Sequence, residues 1–157
     1  MTQVTGPEDN LPVLLEQYKL FVEMMDRHSA RRAQTSNFYL TVLAALLAAV
    51  PFADKVSVSP HFQTAVFAGV GVLGTALCIV WRVNLHSYRQ LSSGKFRVIE
   101  EMEKRLPAQP YTREWEAVGR GKQLRKYIPM TRIENWVPYT FCALYLVTLV
   151  YSLTRFF

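Results

Sequence analysis

The sequence has little of what an enzyme or metalloprotein needs. Its two cysteines, Cys78 and Cys142, form no CxxC pair and have no HxxxH pair beside them, so they read as small packing residues rather than as a disulfide or a metal site. His28, His61 and His86 lie in three different segments, no Ser or Cys occupies a nucleophile elbow, and the carboxylates near apolar runs are isolated or helix-capping. No catalytic residue, metal or cofactor is therefore assigned, and the chain is not expected to be an enzyme. The polar, acidic opening segment lacks the basic-then-apolar pattern of a secretory signal, so the protein is expected to insert whole. Charge itself is missing over long stretches. No Asp, Glu, Lys or Arg lies between Arg32 and Asp54, between Lys55 and Arg82, or between Glu134 and Arg155.

Those three gaps are the main positive signal, because a bilayer core about 30 Å thick takes roughly 20 uncharged helical residues. Three such runs in 157 residues leave too little amphipathic sequence to cover them in water. The expected fold is an all-α integral membrane protein with spans at 36–53, 64–81 and 136–154. Polar segments at 1–35 and 82–135, an outer loop at 54–63 and a tail at 155–157 complete the layout.

Orientation follows from the basic residues beside the spans, which are retained on the cytoplasmic side. Four precede the first span and twelve lie within 82–135, against only Lys55 and Arg155 elsewhere. The N-terminus and the middle segment are accordingly expected in the cytoplasm. Arg31 and Arg32 are expected to snorkel to headgroups, with Trp81, Arg82 and Trp136 as interface anchors.

The polar segments have helical patterning of their own. Leu14, Tyr18, Phe21, Met25 and His28 recur every three or four residues, which predicts an amphipathic helix from Leu11 to Ser29, N-capped by Asn10 and running on into the first span. No breaker appears after the second span until Pro107, so one helix is expected from Thr64 to Leu106. Leu85, Tyr88, Ser92, Lys95, Ile99, Met102 and Leu106 form a seam along it. That spacing suits either a coiled coil between copies or packing on another helix of the same chain. A proline-flanked turn then leads to a short helix at 112–118, which Gly119 and Gly121 end. Thr131 and Glu134 fit a capping box before the third span, and Pro138 is expected to kink its entry.

Two motifs mislead. Gly119-Arg-Gly-Lys122 lacks the glycine and hydroxyl residue of a phosphate loop. Gly69-Val-Gly71-Val-Leu-Gly74 spells the dinucleotide fingerprint but sits midway along an uncharged run, with no preceding strand and no water for a diphosphate. Close helix packing explains these glycines better, as it does the pairs Ala65/Gly69, Gly71/Thr75, Ala44/Ala48 and Ala45/Ala49. Within the spans, Asn37 and Thr41, or Gly71 and Thr75, are the candidates to line an oligomer axis. Tyr88, Arg89, Ser92, Lys95, Arg97 and Trp115 are candidates for a cytoplasmic ring. The middle segment carries twelve basic and six acidic residues, which suits anionic lipid or an acidic protein partner. Its interleaved Glu100, Glu101 and Glu103 and its want of an aromatic platform argue against nucleic acid.

Several strings resemble a known family. Glu16-Gln-Tyr-Lys-Leu20, Ser29-Ala-Arg-Arg-Ala33 and Asn37-Phe38 are similar to the N-terminal part of the RipA family of small octameric membrane proteins. Ser87-Tyr-Arg-Gln-Leu91, Gly94-Lys-Phe-Arg-Val-Ile99, Glu103-Lys-Arg-Leu-Pro107, Glu114-Trp115 and Thr131-Arg-Ile-Glu-Asn-Trp-Val-Pro138 resemble its cytoplasmic block. The plan is also similar to the SLATT effectors of bacterial defence islands and, more loosely, to the pore-forming accessory protein of type VI CRISPR systems. The resemblance implies a bacterial inner-membrane homo-oligomer, a ring of eight, acting as a pore or permeability effector in stress or phage defence. It carries no active-site residues over. A non-conducting scaffold for a protein or anionic lipid, and a receptor whose basic ring (Arg89, Lys95, Arg97, Trp115) binds a nucleotide signal, are the alternatives.

Overall fold

Four α-helices make up the elements among the described residues, 11–53, 59–119 and 130–156, of a computed structural model. They are α1 (Leu11–Ala53), α2 (Pro60–Glu103), α3 (Pro110–Ala117) and α4 (Met130–Phe156). There is no strand among the described residues. Helices α1, α2 and α4 are each long and apolar enough to cross a membrane, so the chain is a multi-pass, all-α membrane protein. The expected Asn10 cap, residues 54–58 of the 54–63 loop, the stretch from Arg120 to Lys122 and the Thr131 side chain lie outside what is described.

Local chemistry sets the helix ends. Proline, which lacks the N–H that a first helical turn leaves free anyway, opens both α2 at Pro60 and α3 at Pro110. The Ser59 and Gln109 carbonyls take the first helical bonds from Gln63 and Arg113, each at 3.1 Å. Helix α2 stops at Glu103, three residues short of the expected Leu106. There the bonds tighten to i→i+3, from the Arg105 N–H to Met102 and from the Leu106 N–H to Glu103, just before Pro107. Gly119 takes φ 74°, the left-handed conformation that ends a helix at least cost on glycine, and so stops α3 as expected. Helix α4 is already helical from Met130, before the expected cap, and carries Pro138 inside it.

The residues divide into two compact units. A bundle unit contains Arg32–Ser87 and Met130–Phe157, and a hairpin unit contains Met1–Arg31 and Tyr88–Pro129. In the bundle, Leu43 of α1, Cys78, Trp81 and Leu85 of α2, and Tyr145 of α4 form a buried cluster. In the hairpin, α1 and α2 run antiparallel, since Tyr18 meets Glu103, Met24 meets Lys95 and His28 meets Tyr88.

Candidate functional site

The bundle is held by close approach and by a few polar bonds. Gly74 lies against Tyr145, and a Cβ added there would overlap its ring; one added at Gly71 would fall 2.9 Å from the Leu149 Cβ. Two glycines of the false fingerprint therefore admit α4 to the surface of α2, which is the packing role expected of them. The Tyr145 ring is fully buried, and its hydroxyl donates to the Leu43 carbonyl at 2.5 Å, tying all three helices together. Toward the other end of α4, the Ser152 hydroxyl donates to the Thr64 carbonyl at 2.8 Å. Such bonds have high value where no water competes for the hydroxyl.

A polar belt closes one end of the bundle. Arg32 pairs with Glu134, and Arg82 donates to the Asn135 side chain at 3.3 Å while its guanidinium stands 4.7 Å over the Tyr139 ring. Asn84 donates to the Tyr39 hydroxyl at 2.9 Å. Arg32 thus meets a carboxylate of its own chain, and Glu134 is engaged by it. Arg31 stays exposed. The two tryptophan anchors differ. Trp136 is 72% exposed. Trp81 is only 3% exposed and stacks on Tyr39 with ring centroids 5.9 Å apart. It belongs to the core, and its expected place as an anchor is corrected accordingly; charge spacing had located the end of the span but not the side of the helix.

The four candidate axis residues also separate. Gly71 is buried against Leu149, and the half-buried Thr75 spends its hydroxyl on the Gly71 carbonyl at 2.7 Å. Both are occupied inside the protomer. Asn37 and Thr41 are exposed on α1. With Gln34, Ala44 and Ala48, also exposed, they form a column at spacings of three and four that carries no large apolar side chain. The outward face of α4 is of the opposite kind, with Leu146, Val147, Val150 and Leu153 all exposed.

In the hairpin, the seam of α2 packs on α1 of the same chain, which settles the choice its spacing left open. Ile99 is fully buried, and the His28 ring lies 5.1 Å from that of Tyr88 with its Nε2 3.4 Å from the Tyr88 carbonyl. Lys95 reaches the Met24 carbonyl at 3.4 Å. Tyr88, Ser92 and Lys95 are half-buried in this seam, whereas Arg89, Arg97 and Trp115 are exposed. Residues such as Leu20, Met24, Leu91 and Phe96 leave apolar surface open on this unit.

The residue that sequence reasoning missed is Glu103. It is 0% exposed, yet its carboxylate accepts four hydrogen bonds. Oε1 takes the Tyr18 hydroxyl at 3.0 Å and the Tyr111 N–H at 2.8 Å; Oε2 takes the Thr112 N–H at 3.0 Å and the Thr112 hydroxyl at 2.7 Å. Gln109, the N-cap of α3, makes no side-chain cap, so Glu103 satisfies the free amides of that helix from the end of another. Burial pushes the carboxyl up, but the bonds from Thr112, the Tyr111 amide and Tyr18 outweigh it and hold it below the usual carboxylate range. Burial and the carboxylate together push the Tyr18 phenol up to about 12. The sequence signal that was present is a carboxylate seven residues before a helix-opening proline.

Among the described residues there is no cluster of three or more His, Cys, Asp or Glu side chains placed to hold a metal ion. Comparison with known families gives a match of residues 15–154 to the model of the octameric membrane protein family (8xMP). No curated protein and no solved structure matches the chain.

Proposed function

The chain belongs to the octameric membrane protein family, and from that premise we propose that it works as a channel-like or membrane-perturbing effector of the bacterial inner membrane, in stress or phage defence. Eight copies surround an axis onto which α1 presents Asn37 and Thr41. The N-terminus and the hairpin unit are cytoplasmic, as the basic residues require. No catalytic step is assigned to it.

The observation that carries this reading is the exposed column on α1. Lipid chains offer no partner to an amide, and an unsatisfied polar group in hydrocarbon costs on the order of several kcal/mol. Asn37 and Thr41 escape that cost if their face meets water or polar groups around a shared axis, while the leucine and valine face of α4 meets lipid. In purified oligomers reconstituted in liposomes, ion current and dye release are the test. Asn37→Leu would place a ring of leucines on the axis, so flux is expected to fall by about an order of magnitude through dewetting. Equal flux from both proteins, or none from either with a stable oligomer, would remove the conducting role.

A second reading, a non-conducting scaffold, is favoured by the apolar surface that Leu20, Met24, Leu91 and Phe96 leave open on the hairpin unit, which suits a protein partner. A receptor for a nucleotide signal would use the exposed Arg89, Arg97 and Trp115 with Lys95. Lys95 already engages the Met24 carbonyl, which makes the receptor the weakest of the three.

A further inference from the structure

Two arginines stand in the polar belt of the bundle, and only one has a counter-ion there. Arg32 pairs with Glu134. Arg82 is half-buried and meets neutral groups: it donates to the Asn135 side chain at 3.3 Å and lies 4.7 Å over the Tyr139 ring. Among the described residues no carboxylate pairs with it. A guanidinium carries five N–H donors in a fixed fork, and the Asn135 oxygen leaves most of them over. Arg32, Arg82 and Glu134 together give the belt one net positive charge. The tyrosine ring orients the fork without cancelling that charge.

The chain itself fixes the level at which this charge stands. Arg82 is the first charged residue after the uncharged run that follows Lys55, and Trp136 comes two residues after Glu134, at the start of the run that ends at Arg155. Both mark the end of an apolar span, where the abundant anion is the phosphate of a phospholipid headgroup. Trp136 and Tyr139 lie edge to face there with centroids 6.4 Å apart, and both are exposed. Rings with an apolar body and a polar tip settle at that depth. From Tyr139 the exposed side of α4 continues through Ala143, Leu146 and Val150, at spacings of four and three. That stretch of helix is about 16 Å long, roughly half of a bilayer core about 30 Å thick, which is the reach of one leaflet's acyl chains.

We infer that Arg82 and the outward side of α4 form a binding site for an anionic phospholipid. Arg82 takes the phosphate, Trp136 and Tyr139 flank the headgroup, and the acyl chains lie along Ala143, Leu146 and Val150. A zwitterionic headgroup brings an ammonium group of its own and leaves the belt's charge uncompensated; an anionic one neutralises it. The site rests on the reading that the outward face of α4 meets lipid. It does not depend on whether the protein conducts.

The test uses the full chain in vesicles, with Trp81 and Trp115 replaced by phenylalanine so that Trp136 alone fluoresces. The vesicles are phosphatidylcholine with a minor fraction of phosphatidylglycerol or, at the same fraction, phosphatidylcholine, brominated on the acyl chains to quench a neighbouring tryptophan. Phosphatidylglycerol is expected to quench as if enriched about fivefold at Trp136, the preference that one basic residue at a membrane surface gives. Arg82→Gln should abolish the preference, and Arg155→Gln, at the far end of α4, should leave it unchanged. With Arg82 in place, concentrated salt should reduce it and soluble glycerol phosphate should not. Equal quenching by the two lipids would overturn the site alone, whereas no quenching by either would overturn it together with the lipid-facing reading of α4. A preference indifferent to salt, an equal loss in Arg155→Gln, or displacement by soluble glycerol phosphate would each contradict the inference.

Discussion

Glu103→Ala is expected to release α3 from the hairpin unit, at a cost of about 3 kcal/mol, because it strands two amide N–H groups and two hydroxyls that now share one buried carboxylate. Glu103→Gln should retain only part of this, since its amide NH2 would face one backbone N–H, of Tyr111 or Thr112, that can only donate. Trp115 is the only tryptophan of the hairpin unit and lies on α3, so its fluorescence reports the loss in a chain with Trp81 and Trp136 replaced by phenylalanine. The same site sets an acid limit. A carboxyl held below its unfolded value of about 4.3 stabilises fully above that pH, and the stability is lost as pH falls through the lowered folded value. The Trp115 signal of the otherwise unchanged protein should therefore hold above pH 5 and fall in the acid range below about 4. In Glu103→Ala, that acid step should be absent. A step of equal size in both would assign it to other carboxylates.

The second large effect belongs to the bundle. Gly74→Leu drives a side chain into the Tyr145 ring, which has no room to retreat because it is fully buried and its hydroxyl is bonded to the Leu43 carbonyl. Overpacking of this kind costs about 3 kcal/mol, and here it also breaks the contact among three helices. Thermal melting of the detergent-solubilised protein should fall sharply for Gly74→Leu and stay unchanged for Gly69→Leu. The comparison separates a glycine packed within the protomer from one whose Cβ position is open, which the glycine spacing alone does not distinguish. Equal losses at both positions would show that Gly69 also packs within the chain.

What could be read from sequence, and what could not, follows from the kind of signal each feature leaves. Spans appear as gaps between charges, so the apolar parts of α1, α2 and α4 stood out. Periodicity marked the amphipathic start of α1 and the seam from Leu85 to Met102. It could not name the partner of that seam, because the same repeat serves a neighbouring copy and a neighbouring helix; the Lys95 bond to Met24 names it as α1. Trp81 was set at the interface on its position beside Arg82, but its side of the helix faces the core. Glu103 was counted as one acidic residue among basic ones, because a carboxylate that caps a helix from a distance leaves no short-range pattern. Asn37 and Thr41 were candidates from their polarity. The structure adds that they share an exposed column with Gln34, Ala44 and Ala48.

That column bears the central claim, that the α1 face meets a polar axis while the α4 face meets lipid. The most direct measurement is the reaction of a membrane-impermeant, water-soluble thiol reagent with single cysteines at Asn37, Thr41 and Val147, in intact membranes and without the native Cys78 and Cys142. The account predicts that Asn37→Cys and Thr41→Cys are modified and that modification reduces ion flux, while Val147→Cys stays unreactive. Protection of both α1 positions, or reaction at Val147 as fast as at Asn37, would contradict it.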